Sequence, residues 1–315
     1  MNSEPVLFAL EGSHEFGRSV AAQLGISLAP HEDRAFDDGE HKSRPLQSVR
    51  GRDVYVLHTL FGEQALSVND KLLRLLFFIA TVKDAGAKRV TALVPYLAYA
   101  RKDRRAKEQD PVTTRYVAQL FEAMAVDCVV ALEVHNRGAF DNAFRCQTVH
   151  LEAHSLFVNA LIDRVGDEPV VIVSPDAGGT KRVDRFRDAW ADATGEQPPT
   201  AFLEKRRSDG KVTGDAVIGD MTGKVAIIVD DMVASGTTLL RAADACKDKG
   251  ATRVFGVITH GLFGPGSEQL YRAVSMDQLF ITDSVTPQQK PEVQGRVTTL
   301  PVAGLFAQAV RELHT

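Results

Sequence analysis

The sequence predicts an α/β protein of two similar domains, each a mostly parallel sheet flanked by helices. Three observations carry this expectation. Short apolar runs such as Val129-Val-Ala-Leu132, Val170-Val-Ile-Val173 and Val225-Ala-Ile-Ile-Val229 have the pattern of strands covered on both faces. These runs alternate with longer amphipathic segments, and strand–helix alternation implies parallel pairing through right-handed crossovers. The chain also echoes itself: Lys83-Asp-Ala-Gly86-Ala-Lys-Arg89-Val90 recurs as Lys247-Asp-Lys-Gly250-Ala-Thr-Arg253-Val254. A second echo precedes each of these, Gly51-Arg-Asp-Val-Tyr-Val-Leu57 and Gly223-Lys-Val-Ala-Ile-Ile-Val229. Two echoes in the same order indicate a duplicated unit, and 315 residues accommodate two domains comfortably.

The first domain is expected over residues 1–150. Its strands fall near Val6–Leu10, Val54–His58, Val90–Val94 and Cys128–Leu132, and its main helices over Asn69–Ala85 and Thr113–Ala125. The Leu72–Val82 stretch is apolar but interrupted by Arg74, so it reads as a core helix rather than a membrane span. Gly86 and Gly250 sit where a helix should stop, the position glycine favours. The second domain is expected over 151–315, with strands near Val170–Ser174, Thr200–Leu203, Val225–Val229, Val254–Ile258 and Gln278–Thr282. A final helix at about 303–313 has amphipathic spacing and could pack back on the first domain. Gly62–Ser67, Arg101–Pro111 and Arg206–Gly214 are polar and read as mobile loops.

Composition excludes several classes of function. A formal charge of −4 offers no general attraction for nucleic acid or an anionic membrane. No apolar run approaches the roughly 18 residues of a membrane span, and Met1-Asn-Ser-Glu-Pro5 lacks the cationic start of a secretory signal. The three cysteines, Cys128, Cys146 and Cys246, have no metal-site spacing and read as small buried hydrophobes of a reduced cytoplasmic protein.

The chemistry concentrates at strand ends, where open α/β sheets bind ligands. After Val225–Val229 come Asp230, Asp231, Ala234, Ser235, Gly236, Thr237 and Thr238. Backbone N–H groups around Gly236 and the start of the next helix can hold a phosphate. The two carboxylates would repel a phosphate and suit sugar hydroxyls instead, so the run points to a sugar phosphate. A strand-to-helix turn capped by Asp and Ser accounts for one residue of each kind, not for the whole run. Tyr96-Leu-Ala-Tyr-Ala-Arg101-Lys102-Asp103-Arg104-Arg105 follows another strand, and its cations could clamp a polyphosphate; read alone, a solvated charge run explains them as well. His135 ends a third strand. Asp176 follows a fourth, ahead of Gly178 and Gly179, where it could hold a divalent cation or its water shell. Arg182, Arg185 and Arg187 follow on a helix as surface charge. Lys205, Arg206 and Arg207 leave a short strand, where cations suit a developing phosphoryl charge and a solvated run is the simpler reading. Phe36-Asp37-Asp38-Gly39-Glu40 reads as a surface turn in which Phe36 could stack on a flat ring.

Asp-Asp-x-x-x-(small)-Gly-x-Thr after an apolar strand resembles the ribose 5-phosphate loop of the phosphoribosyltransferase fold. A second and more specific resemblance spans nearly the whole chain. Phe-Asp-Asp-Gly-Glu at 36–40, Pro-Tyr-x-x-Tyr-Ala-Arg-Lys-Asp-Arg at 95–104, the strand-end His135, Ser-Pro-Asp-x-Gly-Gly at 174–179, Lys-Arg-Arg at 205–207 and Val-Asp-Asp at 229–231 together resemble the ribose-phosphate pyrophosphokinase, or phosphoribosyl pyrophosphate (PRPP) synthase, family. The resemblance implies two phosphoribosyltransferase-type domains. It also implies a reaction in which the diphosphoryl group of MgATP passes to the anomeric hydroxyl of ribose 5-phosphate, giving PRPP and AMP. It carries Phe36, Asp38, Gly39, Glu40, Arg101, Lys102 and Asp103 over to ATP binding, and Asp230, Asp231 and Ala234 through Thr238 to ribose 5-phosphate. His135 and Asp176 would organise Mg2+, and Lys205 and Arg207 would be catalytic. It further implies a cytoplasmic homo-oligomer, with a dimer as the minimal unit and a tetramer or hexamer as larger forms. Ala234 stands where the family loop usually carries an acid, and Lys102 where it usually carries Gln. A regulatory homologue and a related sugar-phosphate kinase are the competing readings.

Overall fold

Val6-Leu-Phe-Ala9 is buried along its whole length, and that double-sided burial makes it a strand of a parallel sheet rather than of a half-wet antiparallel one. A computed structural model describes residues 4–63, 65–208, 211–285 and 295–314. The chain divides into two compact units, Met1–Leu151 with Pro301–Thr315, and Glu152–Leu300.

The first unit runs β1 (Val6–Ala9), α1 (His14–Leu24), β2 (His31–Ala35), β3 (His41–Pro45), β4 (Asp53–Leu57), α2 (Val68–Asp84), β5 (Arg89–Val94), α3 (Thr113–Ala123), β6 (Cys128–Leu132), α4 (Arg137–Ala143) and β7 (Gln147–Leu151). Its main sheet has the order β1-β4-β5-β6-β7, every neighbouring pair parallel. Helix α2 starts with a reciprocal cap: Asp70 N–H donates to Ser67 Oγ at 3.2 Å, and Ser67 N–H donates to Asp70 Oδ2 at 2.8 Å, so two otherwise orphaned donors are satisfied. Its buried face carries Leu72, Leu75, Leu76, Ile79 and Val82, the spacing of an amphipathic helix. Strands β2 and β3 form a separate antiparallel hairpin, tied to α2 where Arg74 Nη1 donates to Asp33 Oδ1 at 2.9 Å.

The second unit runs α5 (His154–Val165), β8 (Val170–Ser174), a 3-10 turn (Ala177–Gly179), α6 (Thr180–Thr194), β9 (Thr200–Ser208), β10 (Lys211–Ile218), β11 (Val225–Val233), α7 (Thr237–Asp248), β12 (Arg253–Gly261), α8 (Glu268–Arg272), β13 (Gln278–Thr282) and β14 (Val297–Leu300). Its sheet order is β10-β9-β8-β11-β12-β13-β14. The β9–β10 pair is antiparallel and the other pairs are parallel.

The internal repeat is visible atom by atom. The order β1-β4-β5-β6-β7 of the first unit returns as β8-β11-β12-β13-β14 in the second. Gly51 N–H donates to Gly86 O at 2.8 Å, and Gly223 N–H to Gly250 O at 3.0 Å. Lys83 pairs with Asp127 at 2.6 Å, and Lys247 with Asp277 at 2.9 Å. The same carboxylates accept from the amide that ends each repeat, near the start of the following strand, Val90 N at 2.7 Å and Val254 N at 2.8 Å.

Helix α9 (Ala303–Leu313) belongs to the first unit. Phe306 is fully buried and meets Phe16 of α1 edge to face at 5.5 Å. Just beyond the helix, His314 Nδ1 lies 2.7 Å from Asp53 Oδ2, a carboxylate that also receives Arg89 Nε at 2.9 Å. The structure departs from expectation at Arg206–Gly214, read as a loop: the described residues there belong to β9 and β10, with a register shift between Val212 and Gly214. The alternation of Lys211-Val-Thr-Gly-Asp-Ala-Val-Ile218 is a strand signal that its charge and polarity obscured. The strand expected over Val225–Val229 extends through Val233, which puts both aspartates on the sheet rather than beyond it.

Candidate functional site

In the second unit, β11 delivers Asp230 and Asp231, and the chain then turns into α7. Gly236 is the turning point. Its φ of +81° lies in the left-handed region that side chains avoid, and a Cβ there would stand 2.3 Å from Leu270 Cδ1 and 2.5 Å from Leu270 Cγ. Only glycine fits without displacement. Leu240 N–H closes the first helical turn on Gly236 O at 2.9 Å, and Gly264 N–H holds Ala234 O at 3.0 Å, so the loop is anchored on both sides. Ser235, Thr237 and Thr238 are exposed at the start of α7, with Ser235 Oγ 3.2 Å from Thr237 Oγ1. Exposed hydroxyls beside the first-turn N–H groups of a helix are groups that can receive an oxyanion.

The two aspartates differ sharply. Asp231 is 2% exposed, whereas the Asp230 side chain is 25% exposed. Arg182 of α6, assigned to surface charge from the sequence, is buried and reaches both: Nη1 donates to Asp230 Oδ1 at 3.0 Å, and Nη2 lies 2.9 Å from Asp231 Oδ1. Although a quarter of the Asp230 side chain is exposed, loss of solvent around the rest pushes its carboxyl well above the usual carboxylate range, the Asp231 charge adds to that, and Arg182 opposes both. The signal that could have found Arg182 is positional. It stands in the first turn of a helix that begins just after a strand end, and long helical side chains point back toward the helix start.

Asp176 sits between β8 and α6. Its Oδ1 accepts from Gly178 N at 2.8 Å and Gly179 N at 3.1 Å, and Ser174 Oγ donates to Asp176 O at 2.6 Å. One oxygen is thus fixed by the backbone, and the carboxylate is exposed, the kind of oxygen ligand a hard cation prefers.

In the first unit, the loops after the neighbouring strands β5 and β6 are joined. Asn136 Nδ2 donates to Asp103 Oδ2 at 2.7 Å, and Asn136 Oδ1 caps α4 by accepting from Ala139 N at 3.2 Å. This link brings the Arg101-Lys102-Asp103 run beside His135. All four side chains are partly or fully exposed, and Lys102 N–H donates to Tyr99 O at 3.3 Å while Lys102 O receives Thr114 N at 3.2 Å. Phe36 through Glu40 form the tip of the β2–β3 hairpin. Phe36 N–H donates to Glu40 O at 2.8 Å, Gly39 N–H to Phe36 O at 3.0 Å and Glu40 N–H to Asp38 Oδ1 at 3.1 Å. The Arg34 guanidinium lies over the Phe36 ring at 4.9 Å, and the ring stays 39% exposed.

Lys205 and Arg207 lie on β9 opposite Asp215 and Val212 of β10; their side chains are outside the described residues. His135 belongs to the first unit and Asp176 to the second, and among the described residues no group of three or more His, Cys, Asp or Glu could hold a metal ion.

Residues 5–125 match the family model of the N-terminal domain of ribose phosphate pyrophosphokinase, and residues 204–315 match that of the phosphoribosyl synthetase-associated domain. The chain is 34% identical to the ribose-phosphate pyrophosphokinase of Vibrio vulnificus (strain YJ016), over 98% of this chain and 95% of that protein. It is 33% identical to the ribose-phosphate pyrophosphokinase of Caldanaerobacter subterraneus subsp. tengcongensis, over 98% of this chain and 94% of that one. The crystal structure of phosphoribosylpyrophosphate synthetase from Mycobacterium smegmatis superimposes with a TM-score of 0.88 at 30% identity, covering 99% of each chain. That fold likeness agrees with the parallel, helix-flanked sheets of both units, and with full-length similarity to named relatives it establishes that the chain belongs to the ribose-phosphate pyrophosphokinase family.

Proposed function

We propose that the protein is a ribose-phosphate diphosphokinase, converting ATP and ribose 5-phosphate into PRPP and AMP. The observation that carries this is the β11–α7 loop, where an open carboxylate and an oxyanion seat occupy one turn in a chain of this family. The anomeric hydroxyl oxygen of the sugar forms a bond to the β-phosphorus. The bond from that phosphorus to the oxygen bridging to the α-phosphate breaks, AMP leaves with the bridging oxygen, and the hydroxyl proton passes to solvent. Such transfers depend on positioning and charge neutralisation rather than on covalent chemistry by the protein.

Asp230 accepts from the ribose hydroxyls, and the Ser235–Thr238 hydroxyls with the α7 N-terminus hold the 5-phosphate. Arg101 and Lys102 clamp the ATP phosphates, with Asp103 fixed by Asn136. Phe36, with Asp38, Gly39 and Glu40 shaping the hairpin tip, offers an exposed ring face for adenine. Lys205 and Arg207 stabilise charge on the transferring group. Asp176, with one free oxygen, fits an Mg2+ ion or its water shell, and His135 fits the same role through water. When bound, that ion neutralises charge on the ATP phosphates. The same reading makes the enzyme a cytoplasmic homo-oligomer. Among the described residues no helix is long and apolar enough to cross a membrane.

The test is product analysis by phosphorus NMR with purified protein, MgATP and ribose 5-phosphate. PRPP and AMP in equal amounts are expected. Release of ADP would mean transfer of the γ-phosphoryl group alone and would overturn the assignment.

A further inference from the structure

We infer that Arg182 is a positioning residue for the sugar, dividing two adjacent carboxylates into a buried anchor and an open acceptor; this rests on the ribose 5-phosphate reading of the β11–α7 loop. Neighbouring residues of an extended strand point to opposite faces, so Asp230 and Asp231 have no reason to share a partner unless one reaches across the strand end. The planar guanidinium does so, giving Nη1 to Asp230 Oδ1 at 3.0 Å and Nη2 to Asp231 Oδ1 at 2.9 Å. A lysine ammonium has one charge centre and cannot span both in this way.

The consequences for the two carboxylates are unequal. The Asp231 side chain is 3% exposed and is held inside. Asp230 Oδ1 is engaged twice, by Arg182 and by Asp231 N–H at 2.9 Å, and the side chain as a whole keeps 25% of its surface exposed, which makes Oδ2 the oxygen assigned to the sugar. Arg182 has no competing engagement at Nε, which is buried with no hydrogen-bond partner among the described residues. Gly179 lies beside the guanidinium: a Cβ there would stand in ordinary contact with Nη1 at 3.6 Å but would collide with Ser174 Oγ at 2.5 Å. Because Gly179 N–H also donates to Asp176, the turn that presents Asp176 lies directly beside Arg182. Removing the guanidinium leaves two carboxylates side by side, one of them buried, and their repulsion turns Asp230 away from the sugar.

Calorimetric titration of the full-length protein with ribose 5-phosphate, and separately with ATP, tests this in Arg182→Gln, Arg182→Lys and Arg182→Gln/Asp231→Asn. In Arg182→Gln, affinity for ribose 5-phosphate should fall by about 10- to 100-fold, the scale of leaving a buried polar group without its partner, with ATP affinity changed less than about twofold. Arg182→Lys should lie between, and the added Asp231→Asn should recover part of the loss by removing the repulsion. Equal losses for both ligands, or no recovery in the double variant, would make Arg182 a support of α6 and overturn the inference. If Arg182→Gln fails to fold, unchanged sugar-phosphate affinity in Arg182→Lys overturns it instead. Wild-type protein that binds ATP but no ribose 5-phosphate would sink the proposed function itself, and the inference with it.

Discussion

Gly236→Ala separates two steric costs at the proposed phosphate loop. A side chain at φ +81° costs about 1–2 kcal/mol relative to glycine. The new Cβ would also meet Leu270 at 2.3 Å and 2.5 Å. Contact with Cγ as well as Cδ1 means the whole Leu270 side chain must move, and at 4% exposure it has no open space to enter. Overpacking of this kind costs about 1–3 kcal/mol, so the total comes to roughly 2–5 kcal/mol. Gly195→Ala is the internal control: its φ is +78°, yet nothing lies within 4 Å of the added Cβ. It should lose only the backbone cost. Urea unfolding followed by circular dichroism should therefore place Gly236→Ala about 1–3 kcal/mol below Gly195→Ala. Calorimetry should show ribose 5-phosphate affinity falling by about tenfold or more in Gly236→Ala alone, since small misplacements of a binding turn are expensive. Equal stability losses, or unaltered ribose 5-phosphate affinity in Gly236→Ala, would mean that the loop relaxes freely and that the glycine does not set its geometry.

Lys205→Ala should lower kcat by at least about 100-fold with the KM for ATP nearly unchanged, because the contact is made mainly in the transition state; steady-state kinetics with turnover near wild type would remove Lys205 from the catalytic role. His58 offers a pH test of the first unit. It is fully buried, and burial, then the Lys71, Arg74 and His14 charges, hold its imidazole well below the ordinary histidine value. A depressed imidazole means that the unfolded chain binds more protons, so stability falls as pH drops below about 6.5, by up to ~1.4 kcal/mol per pH unit for this group. Urea melts at pH 7.5 and 5.5, values chosen at about one unit either side of that point, should show a smaller acid loss in His58→Asn than in wild type; identical losses would exclude His58 as a source.

How much of this was legible beforehand differs by kind of residue. The buried strands could be read because burial on both faces demands an unbroken apolar run, as in Val225–Val229. The duplication could be read because the same turn needs the same residues twice: Gly86 and Gly250 end a helix, and Lys83 and Lys247 pair with the carboxylates Asp127 and Asp277. The turn at Gly236 was legible because its features are local, with glycine and hydroxyls in one stretch of chain. Arg182 was not, since an arginine on a polar helix looks the same whether it faces water or spans two aspartates 48 and 49 residues away. Neither was the unequal burial of Asp230 and Asp231, which depends on what packs against each face of β11. The β9–β10 pair was hidden because charge on its strands outweighed the alternation. The sequence by itself therefore determined the two-unit α/β plan, the family and the loop proposed for the sugar phosphate. The tertiary structure decided which aspartate stays open, which arginine governs it, and that the last helix joins the first unit. Those outcomes depend on contacts between segments distant in sequence, which no local pattern encodes.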